Sequence, residues 1–242
     1  MQMQKPYTIQ PWQPFDRTMT PERYLWLKAL KDGNEKVIQA ELLRCQRDRW
    51  YWLQQWVLTE NAHSVNSTTF EPFPDDPHLY YVTRIWERER KTAWPKSRQI
   101  TMTWLIMALY LHDFLFFPSR LNFIQSKKEE DSDAVLERGY LMYQKLPVFM
   151  RNWQPLVYGK KTHCHMRGSR NRSHLWAVPE GPDQIRGNTA TGLMSDETVF
   201  QDAVERMLTA ADPALGKAGR LTMLSSAGPS VFQQLCFDQF NV

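Results

Sequence analysis

Lys96-Ser97-Arg98-Gln99-Ile100-Thr101-Met102-Thr103 stands between a short stretch ending in Trp94-Pro95 and a strongly apolar run that fills 104–117. The order strand, turn, helix at this point decides the fold, because the same alternation repeats on both sides of it. Upstream, a helix is expected over 78–90 and a short strand ending at Pro95. Downstream come a helix over 102–116, a strand over 121–125 and a helix over 129–145. Two short strand candidates follow near 156–165 and 174–178, then a strand over 189–194, a helix over 199–211 and a strand over 220–224. Strands alternating with helices predict an α/β domain with a doubly wound, mostly parallel sheet. Ligands of such sheets bind beyond the carboxyl ends of the strands, which is where the quoted segment lies.

Residues 1 to about 60 read as helical. Thr20-Pro21-Glu22 supplies a capping hydroxyl and a proline at the first helical position, opening a segment that runs to Leu30. After the break at Lys31-Asp32-Gly33-Asn34, the positions Val37, Leu42, Leu43, Trp50, Leu53, Trp56 and Val57 recur at helical spacing over 35–58. The stretch 61–77, rich in Ser, Thr, Asn, Asp and Pro, reads as a linker or ordered loop. The expected organisation is an N-terminal helical segment over 1–60 and an α/β domain over 61–242.

A chain of 242 residues holds one sizeable core. Its 42% hydrophobic and 13% aromatic residues are those of a folded protein. A mean hydropathy of -0.56 argues against a membrane protein. The most apolar run, 104–117, falls short of the roughly 20 residues that span a bilayer and contains His112 and Asp113, so it reads as a buried helix. The opening MQMQKPYTIQPW lacks the basic start, apolar stretch and small-residue cleavage site of an export signal, and a cytoplasmic location is expected. Cys45, Cys164 and Cys236 are odd in number and far apart, giving neither a disulfide framework nor a CxxC metal pair. The net charge of +4 conceals a concentration: Arg151, Lys160, Lys161, His163, His165, Arg167, Arg170 and Arg172 share one stretch without an acidic residue. His163-Cys164-His165 has no second ligand pair at metal spacing, so the stretch reads as solvated surface able to touch DNA phosphates.

A phosphate-binding loop is written G-x-x-x-x-G-K-[ST]. Backbone N–H groups at a helix N-terminus cradle phosphates, a lysine neutralises them and a hydroxyl holds Mg2+. Laid on that pattern, Lys96 takes the first glycine's place, Thr101 the second's and Met102 the lysine's, while Thr103 keeps the hydroxyl. A lysine at the front of the loop can reach the same phosphates from the other side. What is lost is glycine's freedom at Thr101, where a β-branched residue must be tolerated.

Leu193-Met194-Ser195-Asp196-Glu197 is an apolar stretch ending in two adjacent carboxylates. Neighbouring side chains on a strand point apart, which suits divided labour: Asp196 holding Mg2+, directly or through water, and Glu197 polarising an attacking water as general base. Alone, the pair is better explained by a solvated turn, and Thr191, Gly192 and Ser195 stand where a buried strand usually has large aliphatics. Its place about 100 residues after the loop favours the chemical reading. Leu221-Thr222-Met223-Leu224 then runs into Ser225-Ser226-Ala227-Gly228-Pro229, a strand entering a small polar turn.

Pro95-Lys96-Ser97-Arg98-Gln99 with Thr103-Trp104 resembles the deviant Walker A segment of bacteriophage large terminases, in which the lysine moves to the front of the loop. Ile124-Gln125-Ser126-Lys127-Lys128-Glu129-Glu130-Asp131 and Ala134-Val135-Leu136-Glu137-Arg138 resemble the strand and helix that follow it, and the likeness runs from about Arg49 to the end of the chain. The resemblance implies a P-loop NTPase of the additional-catalytic-glutamate type, hydrolysing ATP with Mg2+ to drive double-stranded viral DNA into a procapsid. It implies ATP contacts from Lys96, Ser97, Gln99, Thr101, Met102 and Thr103, and Mg2+ on Thr103 and Asp196. Glu197 is then the catalytic base, Ser225 and Ser226 couple hydrolysis to DNA movement, and Phe73 and Pro74 border an adenine pocket. Arg98 and Arg186 stand where the family places catalytic arginines, whose planar, permanently charged fork suits developing charge on a γ-phosphate; ordinary surface charge is the alternative for each.

The implied partners are further copies of the chain in a ring, the portal protein and the small terminase subunit. No membrane is involved, and the location is the host cytoplasm with transient docking on the procapsid. Large terminases also carry a C-terminal nuclease domain resembling RNase H. This chain ends at Val242 soon after the coupling segment, without a further carboxylate cluster, so no nuclease activity is expected of it and it reads as part of a longer protein. A helicase-like or remodelling P-loop ATPase would need a second motor domain, for which 242 residues leave no room. A non-hydrolysing docking module with a decayed loop would explain Thr101 and Met102, but not the joint retention of Lys96, Thr103, Asp196 and Glu197.

Overall fold

The computed structural model describes residues 8–60, 70–97, 101–158 and 164–237. It opens with α1 (Pro21–Lys31), α2 (Glu35–Arg47) and α3 (Arg49–Trp56). Each start is capped by a side chain: Thr20 accepts from the Arg23 N–H, Asn34 from Val37 and Asp48 from Tyr51. These caps satisfy donors that no helical carbonyl can reach. Asp48 also ends α2, in extended backbone at φ -127 and ψ 102, so the single helix expected over 35–58 is two. β1 (Leu58–Glu60) pairs antiparallel with β2 (Phe70–Pro72), so the linker expected over 61–77 contributes a strand to a small sheet.

The expected alternation follows in α4 (Pro77–Arg88), β3 (Lys91–Pro95), α5 (Met102–Phe116), β4 (Leu121–Gln125) and α6 (Glu129–Lys145). The chain continues through α7 (Val148–Trp153), β5 (Leu156–Tyr158), β6 (His165–Gly168), β7 (His174–Val178), α8 (Asp183–Arg186) and β8 (Gly192–Ser195). A 3-10 turn at Thr198–Phe200 leads to α9 (Val204–Leu215), β9 (Arg220–Ser225) and α10 (Val231–Phe237). The helix expected over 199–211 therefore begins later and runs further, with Pro213 in its last turn.

Among the described residues the main sheet has seven strands in the order β3-β9-β8-β4-β7-β6-β5. The five from β3 to β7 are parallel, and β6 and β5 add to them antiparallel. The strand expected near 156–165 is thus two strands, and the mostly parallel α/β sheet is as expected. β9 lies between β3 and β8, so one strand separates the segment before Lys96 from the segment before Asp196.

β8 is buried at every position although it is poor in aliphatics. A Cβ on Gly192 would lie 2.5 Å from Asn122 Oδ1 and 2.6 Å from Tyr110 Cε1, so only glycine fits under that ring. Ser195 Oγ is 3.0 Å from Thr198 Oγ1 and accepts from Gln201 Nε2 at 3.0 Å, which satisfies a hydroxyl that burial would otherwise penalise.

α5 is apolar on every side, and 12 of its 15 residues are buried, so it must be covered all round. The sheet and α6 cover part of it, and α3 and α4 the rest. Trp52, Leu53, Leu79 and Trp86 join the α5 side chains in one core, so the N-terminal helices close that core. His112 lies 2.8 Å from the Cys45 carbonyl oxygen; burial first, then Arg49, pushes its pKa well below the ordinary histidine value and keeps it neutral. Asp113 is paired with Arg49 at 2.7 Å. On the opposite face of the sheet, Phe123, Leu193, Val204, Met207 and Leu221 build a second core. Among the described residues, no helix is long and apolar enough to cross a membrane.

Candidate active site

The carboxyl ends of β3 and β8 bring together Lys96, Thr103, Asp196 and Glu197. The Lys96 N–H donates to the Ser225 carbonyl at 2.8 Å, one step beyond the β3–β9 ladder, which fixes where its side chain starts. Its ammonium donates to Thr103 Oγ1 at 3.2 Å and to Glu197 Oε1 at 3.1 Å, and lies 3.3 Å from Asp196 Oδ1. Thr103 Oγ1 in turn donates to Asp196 Oδ2 at 3.1 Å. The two carboxylates differ in access: the Asp196 side chain is 5% exposed and that of Glu197 39%. A cation can be gripped at the first, and a water can reach the second.

The turn after β8 is tied down by its own polar groups. Glu197 takes left-handed backbone at φ 50 and ψ 42. Its N–H donates to Asp196 Oδ1 at 3.0 Å, and Gln201 Nε2 donates to the Asp196 carbonyl at 2.9 Å. The Val199 N–H donates to Ser225 Oγ at 3.0 Å. Buried Ser225 therefore touches both the Lys96 backbone and the turn that carries Glu197. Ser226, next to it, is half-buried.

Thr101 adopts φ 61 and ψ 4, the left-handed region that glycine enters freely and a β-branched residue avoids. The sequence replaces the glycine but the backbone keeps its conformation, at a strain of roughly 1–2 kcal/mol. Thr101→Gly is expected to raise stability by about 0.5–1 kcal/mol, the strain removed less the freedom added to the unfolded chain. Urea unfolding measures this, and a loss of stability would show that residue 101 is not left-handed. Among the described residues no side chain caps α5, and no acid lies in its first turn to oppose an anion at its positive end.

The other expected site residues take different places. Met102 is 5% exposed and packed in the core, so its side chain does not take the place of a loop lysine. Ser97 is exposed beside Lys96. Arg98 and Gln99 lie outside the described residues. Arg186 ends the short α8, exposed and away from the cluster. Phe73 is 1% exposed in the core and leaves no open ring face for a base, and the Pro74 carbonyl accepts from Gln54 Nε2. That pair is not brought to Lys96. In the basic stretch, His165 stacks on Trp176 and its Nε2 lies 2.8 Å from His174 Nδ1, so it is not a free surface cation. Burial, then Arg167, pushes the His174 pKa down.

A cavity of about 410 Å3 opens in front of the cluster. Lys96, Thr103, Asp196 and Glu197 form one wall; Lys127 after β4, with Asp131 and Arg138 on α6, form the facing wall. Nothing in the local sequence marks these facing residues as part of a site. The signal lay in the strand order, since β4 is the neighbour of β8 and the segment after it must border the carboxylates. A larger apolar hollow of about 600 Å3 between α1, α2 and α7 brings no such set of polar groups together.

A lysine, a hydroxyl and paired carboxylates that meet at the carboxyl edge of a mostly parallel sheet, beside a buried helix, place the molecule in the α/β class of folds. Within that class the fold is similar to those of solved phage large terminases. It is similar to the large terminase of bacteriophage HK97, with a TM-score of 0.59 and 13% identity over 74% of this chain and 37% of that one. It is also similar to a mutant of the Thermus phage P74-26 large terminase ATPase domain, with a TM-score of 0.51 and 12% identity over 77% of this chain and 72% of that one. The match spans 37% of the HK97 chain, well under two thirds of its length. No family model matches the sequence.

Proposed function

We propose that this chain is the ATP-hydrolysing motor of a phage large terminase, moving double-stranded DNA into a procapsid in the host cytoplasm. The observation that carries the reading is the meeting of Lys96, Thr103, Asp196 and Glu197 at the open end of α5. Lys96 takes the β- and γ-phosphates, drawing its ammonium away from the two carboxylates, while the N–H groups of the first turn of α5 cradle them. Thr103 Oγ1 and Asp196 Oδ2, 3.1 Å apart, are the hard oxygen donors that Mg2+ takes alongside water and phosphate, so the residues present fit that ion. Bound there, Mg2+ offsets charge on the β- and γ-phosphates.

Glu197 orients a water and accepts its proton as the water oxygen bonds to the γ-phosphorus. The bond from that phosphorus to the bridging oxygen breaks, and ADP and phosphate leave. Arg98 and Arg186 supply charge to the transferring group, and Ser225 and Ser226 relay its loss towards the DNA. Further copies in a ring, the portal protein and the small subunit are the partners, with the exposed Arg167 and Arg172 on the basic face meeting DNA phosphates.

Calorimetric titration with ATP, with and without Mg2+, tests the reading. The parent is expected to bind more tightly with Mg2+. Lys96→Ala is expected to lose about 10- to 100-fold in affinity, the worth of one charge-assisted contact, together with its turnover. A parent that binds no ATP, or a Lys96→Ala variant that hydrolyses at the parent rate, overturns it.

A further inference from the structure

The wall facing Lys96 holds a cation that nothing above employs. Residues 131, 134, 135 and 138 of α6 follow the spacing of one helix face, and all border the cavity. Arg138 is the last of them. Side chains on a helix lean towards its N-terminus, so its long stem reaches back towards the strand ends. Its guanidinium carbon lies 5.9 Å from the Trp104 ring centroid, and Trp104 follows Thr103 in the first turn of α5.

Arg138 is half-buried, yet among the described residues it has no carboxylate or hydrogen-bond partner. Arg49 and Arg84, similarly buried, are ion-paired at 2.7 and 3.0 Å. Of the carboxylates that border the cavity, Asp196 and Glu197 share Lys96, and Asp131, exposed two turns before Arg138 on α6, forms no ion pair with it. A guanidinium that borders the cavity beside the Trp104 ring and has no protein acceptor among the described residues keeps its donors available to an anion. The cavity's second uncommitted cation, Lys127, is exposed at the strand ends. Lys96 and the N-terminus of α5 suffice for a diphosphate; a cation on the α6 wall adds a place for one more phosphate.

We propose that Arg138 binds the γ-phosphate in the site of its own chain and makes that site prefer a triphosphate to a diphosphate. This rests on the ATPase reading and deepens it. Lys96 serves both nucleotides, whereas Arg138 meets a group that only ATP carries.

Calorimetric titration of the full chain with Mg-ATP and, separately, Mg-ADP tests this on the parent, Arg138→Ala and Arg138→Lys. Arg138→Ala is expected to bind ATP about 10-fold or more weakly and ADP within about two-fold of the parent, with Arg138→Lys in between for ATP. The thermal midpoint is expected to stay at the parent value. Equal loss of both nucleotides, or no loss of either, overturns the assignment, the first because it marks a packing role. A parent that binds both nucleotides while Arg138→Ala keeps the parent ratio sinks this inference and leaves the ATPase reading standing. A parent that binds neither sinks both.

Discussion

A mixture of Arg186→Ala and Glu197→Gln chains is expected to hydrolyse ATP although neither variant does so alone. Arg186 sits exposed at the end of α8, away from the cavity that holds Lys96, Asp196 and Glu197. The expectation is that this guanidinium serves the site of a neighbouring copy. Arginine fingers delivered between subunits contribute roughly 10³ to 10⁵ in rate, or about 4 to 7 kcal/mol of barrier. In a mixed assembly, the Arg186→Ala chain offers an intact Glu197 and the Glu197→Gln chain an intact Arg186, so one interface in the mixture is complete. The isolated chain is accordingly expected to turn over slowly at low concentration. Steady-state turnover is compared under conditions where the parent is active and both variants are folded and assembled. No recovery in the mixture returns Arg186 to ordinary surface charge.

The second large effect separates the adjacent carboxylates. Glu197→Gln is expected to bind Mg-ATP as the parent does while turnover falls by about 10² to 10⁴, the usual contribution of a positioned base. Asp196→Asn is expected to weaken binding only where Mg2+ is present. The difference follows from access: Asp196 is 5% exposed and receives the Thr103 hydroxyl, whereas Glu197 is 39% exposed and open to water. Binding and single-turnover hydrolysis have to be measured separately. Equal loss of binding in both variants sinks the division.

The sequence announces α5, β4, α6 and β7 at their observed bounds because each has the length and period of its kind. It announces the meeting of Lys96 with Asp196 and Glu197 only through strand alternation, since nothing local links residues a hundred positions apart. Asp48 breaks a run whose apolar spacing continues unchanged on both sides, so periodicity hides the break and only the capping bond reveals it. α7, α8 and α10 have six, four and seven residues, too few turns to show a period. β8 reads as weak because two of its side chains answer to neighbours that the local sequence cannot name: Gly192 to Tyr110, and Ser195 to Gln201. The facing wall of the cavity was illegible for the same reason. Arg138 looks like any polar position on a surface helix until the order of β8 and β4 sets it beside Trp104.

The all-round burial of α5 has a mechanical consequence. The turn that would grip phosphates is continuous with the most deeply embedded rod in the molecule, clamped by the sheet on one side and by α3 and α4 on the other. Tilting that rod would expose core surface at roughly 25 cal/mol per Å2, so its open end is held in place by the whole of the packing behind it.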